Sequence, residues 1–84
     1  MNTFNLTISA YNTIIYKGSA VYCGIATLDG ALGIEARHEP LLCALKENSL
    51  ISYKDSHGAE KSIQIASGML CFKNNECTII IDPA

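Results

Sequence analysis

Two histidines, four cysteines and six glycines are the residues of this sequence whose types would suit acid–base, metal or phosphate chemistry. His38 sits in the polar stretch Glu35-Ala36-Arg37-His38-Glu39-Pro40. A general base needs a nucleophile or an orienting carboxylate within reach, and Glu39 is merely its neighbour in sequence, so His38 reads as a structural or contact residue. His57 lies in Asp55-Ser56-His57-Gly58, a solvated turn. Cys23, Cys43, Cys71 and Cys77 contain no C-x-x-C pair, whereas zinc sites hold thiolates on tight turns at paired spacing. All four fall inside strand-like stretches and read as small buried hydrophobes. A Cys71–Cys77 bridge across a terminal hairpin is conceivable in an oxidising compartment. Gly30-Ala31-Leu32-Gly33 lacks the lysine and the helix that follow a phosphate-binding loop. Those glycines read instead as turn residues and sites of close strand approach. No catalytic residue, metal ligand or cofactor site emerges, and an enzyme finds no support. Binding or assembly is left.

The elements that carry these residues are strands. Phe4, Leu6, Ile8 and Ala10 alternate with Asn5, Thr7 and Ser9, the pattern of a half-buried strand. Thr13 to Tyr16 ends at the turn signal Lys17-Gly18, and Ser19 to Thr27 resumes before Asp29-Gly30. Leu50 to Lys54 and Glu60 to Ala66 flank the His57 turn. Beyond Ala66-Ser67-Gly68, Met69 to Lys73 and Glu76 to Asp82 form a hairpin around Asn74-Asn75. Apolar residues nowhere recur at helical spacing over three turns. The expected fold is all-β, a flattened two-layer sandwich of about eight to ten short strands, with residues 1–84 as one domain.

Size and charge narrow the function further. The chain has 84 residues, a net charge of −2, 49% hydrophobic residues and only 17% charged ones. An average soluble domain carries about 25% charge, and a small domain has proportionally more surface to solvate. Part of the surface is therefore expected to be covered by something else. Six scattered Lys and Arg make no basic stripe, which argues against nucleic acid. The apolar runs are far short of the ~20 residues of a membrane helix, and the first residues show no export signal. Leu41 to Leu45 and Ile79-Ile80-Ile81 are apolar on both faces of a strand, although a sandwich leaves its outer faces in water. Such runs point to a cover on the second face: a loop, another copy or a partner.

Asp29-Gly30-Ala31-Leu32-Gly33-Ile34, followed by His38-Glu39-Pro40-Leu41-Leu42 and Ala44-Leu45-Lys46, resembles the epsilon subunit of F-type ATP synthases. Phe4-Asn5-Leu6, Tyr16-Lys17-Gly18, Ala66-Ser67-Gly68-Met69-Leu70 and Cys77-Thr78-Ile79-Ile80-Ile81-Asp82 extend the likeness over the whole chain. The resemblance implies a non-catalytic, cofactor-free β-sandwich on the rotor stalk, between the gamma subunit and the membrane c-ring. It also implies a peripheral location on the cytoplasmic face of a bacterial inner membrane. It places Leu28, Asp29, Gly30 and Ala31, together with Arg37 and His38, near the c-ring. Leu41, Leu42, Ile79 and Ile80 become candidates for packing on gamma.

Three departures bear on that expectation. Ala31 stands where the family usually has a carboxylate, and Ala36-Arg37 where it commonly has Pro-Gly. These residues also include no counterpart of the family's inhibitory C-terminal helical hairpin, so the expectation is coupling without inhibition. The competing reading is a free-standing sandwich module that self-associates or binds another protein through its apolar strands.

Overall fold

The structure, a computed structural model, describes residues 2–84. Strand β1 (Phe4–Ala10) buries Phe4, Leu6, Ile8 and Ala10 and turns Asn5, Thr7 and Ser9 outward. It is followed by β2 (Thr13–Thr27), β3 (Gly30–Ile34), β4 (Leu41–Ala44), β5 (Ser49–Asp55), β6 (Glu60–Lys73) and β7 (Glu76–Pro83). Pairing runs β1-β7-β6-β5-β2, and β2 returns to β1, which closes a flattened ring. Among the described residues β7, β1 and β5 are paired on both sides, whereas early β2 pairs with β1 alone and early β6 with β5 alone. Two strands hang outside the ring: β3 pairs with β2, and β4 pairs with β6.

Seven strands replace the expected eight to ten because two of them are long. The turn signal at Lys17-Gly18 does not break β2, and Ala66-Ser67-Gly68 does not break β6. Each strand instead carries a register shift, near Ala20/Tyr22 in β2 and Ile65/Ser67 in β6. A bulge bends a strand sharply without ending it. The first half of β2 pairs with β1 and its second half with β5 and β3. The first half of β6 pairs with β5 and its second half with β7 and β4. One layer is thus β4, late β6, β7, β1 and early β2; the other is early β6, β5, late β2 and β3. Counted by layer, the strands number nine.

Between the layers lies one core, with Phe4 and Phe72 in edge-on contact at 5.8 Å and Leu6, Ile8, Ile34, Ile51, Ile65, Leu70 and Ile79 fully buried around them. No polar or charged residue is buried among the described residues, so nothing in the core needs an internal polar partner. The exposed surface, 5178 Å², is close to the about 4,900 Å² that size alone predicts for this mass.

The turns follow local chemistry. Gly30 takes φ +119° after Asp29, a conformation open to glycine. Asn74 and Asn75 both adopt positive φ in the β6–β7 hairpin. Asn75 also ties three segments together: its Oδ1 accepts from Arg37 N at 2.9 Å, and its Nδ2 donates to Thr3 O at 2.9 Å. Asn75→Ala should therefore cost about 1–2 kcal/mol in urea denaturation, through the lost bonds and the left-handed backbone together. Asn75→Gly, which keeps the backbone freedom, should recover part of that.

Candidate functional site

The outer face of the first layer is where the doubly apolar strands lead. Side chains alternate across a strand, so Ile79 and Ile81 enter the core while Ile80 between them faces out, 59% exposed. Leu41 is half-buried against the core, and Leu42 is 71% exposed. The register then aligns one row across the strands: Ala44 opposite Met69, Met69 opposite Ile80, Ile80 opposite Ser9, and Ser9 opposite Ile14. Five strands at about 4.8 Å spacing make this row roughly 19 Å long. Leu42 and Cys71 lie opposite each other in the next row, followed by Thr78 and Thr7. Met69 and Ile14 are largely exposed. Together these side chains form a contiguous exposed apolar patch, the kind of surface that marks an interaction site.

The four cysteines divide between faces. Burial raises the thiols of Cys23 and Cys77 to about 12, and Cys43 is half-buried with its thiol raised for the same reason. Cys71 departs from the expected burial, because it faces outward within the apolar patch. Cys71 pairs with Thr78, and Cys77 with Phe72, so the two thiols point to opposite sides of the sheet. The conceivable Cys71–Cys77 bridge is therefore not formed, and all four thiols are free. Among the described residues no group of three or more His, Cys, Asp and Glu is placed to hold a metal.

The second layer shows a different outer face. Ser62, Ser52, Gly24 and Gly33 form one row, and Glu60, Lys54 and Tyr22 the next. The Tyr22 ring lies over both glycines, and a Cβ at Gly33 would come within 2.9 Å of it. Close approach thus accounts for the glycine inside β3.

Leu28 and Asp29 form the β2–β3 turn, and Gly30 and Ala31 open β3. Leu28 stands 89% exposed. Thr27 Oγ1 accepts from Asp29 N at 3.1 Å and donates to Gly30 O at 3.0 Å, which fixes the turn. Arg37 and His38 lie beyond the opposite end of β3, about 13 Å or more away by strand rise. The six residues that the resemblance grouped at one end are thus split between two. His38 stacks edge-on against Phe72 at 5.7 Å, and its Nδ1 donates to Glu39 O at 2.7 Å. Its ring serves packing at the mouth of the core. His57 sits in its exposed turn, where His57 N and Ala59 N both donate to Asp55 Oδ1. Those bonds, that from Ala59 first, hold the Asp55 carboxyl below its ordinary value.

Among known proteins, the family described as ATP synthase, Delta/Epsilon chain, beta-sandwich domain, matches residues 3–84. The chain belongs to this family. It is 32% identical over 83 residues to ATP synthase epsilon chain 2 of Photobacterium profundum, covering 99% of this chain and 56% of that one. To the epsilon chain of Delftia acidovorans it is 30% identical over 84 residues, covering 100% and 60%. The chain thus spans little more than half the length of the relatives it matches. A chain in the Euglena gracilis mitochondrial ATP synthase, solved as OSCP/F1/c-ring, superposes with TM-score 0.88 at 18% identity, covering 96% of this chain and 51% of that one. One in the central stalk/c-ring structure from Tetrahymena thermophila gives 0.78 at 13%, covering 93% and 62%. At those identities the epsilon-type domain shares its fold with them.

Proposed function

We propose that this epsilon-type domain is a non-catalytic rotor subunit of an F-type ATP synthase, joining the gamma subunit to the c-ring. The observation that carries the reading is the apolar row across the first layer, on a chain of this family. Interfaces combine an apolar centre with a polar rim, and this face has an apolar row with Ser9 within it and Thr7 and Thr78 beside it. Leu42 and Ile80 are its outward anchors, joined by Met69 and Ile14, two residues that sequence reasoning did not single out. Leu41 and Ile79 support the face from inside. The turn at Leu28–Ala31 is assigned to the c-ring, and Arg37 and His38, beyond the other end of β3, are further candidates for it. Relatives named as ATP synthase epsilon chains support a place on the cytoplasmic face of a bacterial inner membrane.

Co-elution with a purified bacterial gamma subunit tests the reading. A one-to-one complex should form at micromolar concentrations, and a c-ring should join it. Failure of any complex to form with gamma would overturn the assignment.

A further inference from the structure

Open strand edges lie along early β2, early β6, β3 and β4, and the edge of β3 has unusual chemistry. Among the described residues β3 pairs with β2 alone, so its other side keeps alternate backbone N–H and C=O groups unpaired. Edge strands are usually guarded by lysine, proline or a bulge. Gly30-Ala31-Leu32-Gly33-Ile34 has no charge and no proline, and its pairing with β2 is unbroken. Beside this edge the two layers part over a groove of about 310 Å³, lined by Thr27, Gly30, Leu32, Leu41 and Cys43. Lys46 N, donating to Ala26 O at 2.8 Å, joins the segment after β4 to β2 nearby. An added strand would gain main-chain hydrogen bonds from β3, and alternate side chains would enter the groove.

The flanks decide which strand fits. Exposed Asp29 precedes the edge and exposed Glu35 follows it, six positions apart. If a second copy paired antiparallel about Leu32, Asp29 of each chain would face Glu35 of the other, and the like charges would repel. A segment with basic residues at both ends would meet an acid at each.

We propose that the free edge of β3 captures an extended segment of a partner protein: about five uncharged residues, small or apolar at alternate positions, bracketed by lysine or arginine. The apolar outer face of the other layer plays no part in this contact, but Asp29, Gly30 and Ala31 are shared with the turn assigned to the c-ring, so the chain is tested with neither gamma nor c-ring present.

The probe is a capped seven-residue peptide with five alternating threonines and valines between two lysines, and a counterpart with glutamates in place of the lysines. The lysine peptide should bind about tenfold more tightly than the glutamate peptide and slow amide exchange at Ala31 and Gly33, whose N–H groups face away from β2. In the double variant Asp29→Lys, Glu35→Lys the preference should reverse. Absence of binding by either peptide would overturn the proposal. So would equal binding that ignores the charge reversal, or protection that maps to Met69 and Ile80 instead of β3.

Discussion

Ile79→Asp should unfold the domain, whereas Ile80→Asp, one residue further along the same strand, should leave its melting temperature nearly unchanged and remove binding to gamma. Ile79 is completely buried between Ile8 on β1 and Leu70 on β6. A carboxylate there would lose its hydration with no cation in the core to meet it, since the buried set is wholly apolar. That penalty amounts to several kcal/mol, comparable with the whole stability of a domain this size, about 5 kcal/mol or a little more. Ile80 already faces water, so the same substitution costs the isolated chain little. At the centre of a docking face it introduces a charge that the partner must desolvate, and affinity should fall at least about thirtyfold. Leu42→Asp should behave like Ile80→Asp. Circular-dichroism melts and gamma titration of the variants distinguish the outcomes. Ile80→Asp that melts normally and still binds gamma at full strength would sink the docking face. Ile80→Asp that unfolds would show that its side chain is not where the register places it.

The same pair of residues shows how much the sequence discloses. Three consecutive isoleucines on a strand reveal that some outward position is apolar, and the neighbouring alternation of Cys77 with Thr78 indicates which one. The Asp29-Gly30 and Asn74-Asn75 turns are equally legible, because a tight turn depends on the φ angles of its own residues. Gly18 and Gly68 mislead for the converse reason. Each has the local chemistry of a break, yet long-range pairing carries β2 and β6 through, and a bulge absorbs the bend. Whether a glycine ends a strand or lies within it is settled by what pairs beside it. The apolar row was beyond reach for the same reason, since Ala44, Met69, Ile80 and Ile14 meet only through the register of five strands. The separation of Leu28–Ala31 from Arg37 and His38 follows from β3 running straight between them, although the two groups lie close in sequence.

Alkali should destabilise this domain in a way that its two buried thiols dominate. Burial holds Cys23 and Cys77 near 12 in the folded chain, against an ordinary value of 9.0. For Cys77 the other three thiols add to the effect. Below pH 9 both thiols are protonated in either state, and they give stability no pH dependence. Between pH 9 and 12 the unfolded chain releases both protons while the folded chain keeps them. The unfolded state then binds fewer protons, so stability falls as pH rises. Each thiol contributes about 1.4 kcal/mol per pH unit inside that window, and the pair should unfold a domain of ordinary stability before pH 12. Tyr53 and Tyr16, both raised chiefly by desolvation, add to the slope at its upper end. Urea midpoints at pH 8, 9, 10 and 10.5 should be level across the first interval and fall steeply across the rest. Cys23→Ala should start less stable at pH 8, because it leaves a small void in the core, but lose stability about half as fast above pH 9. A profile flat to pH 10.5 would contradict the buried-thiol account. A Cys23→Ala variant that kept the full slope would assign the loss to the tyrosines, whose hydroxyls would then be the groups that folding keeps from ionising.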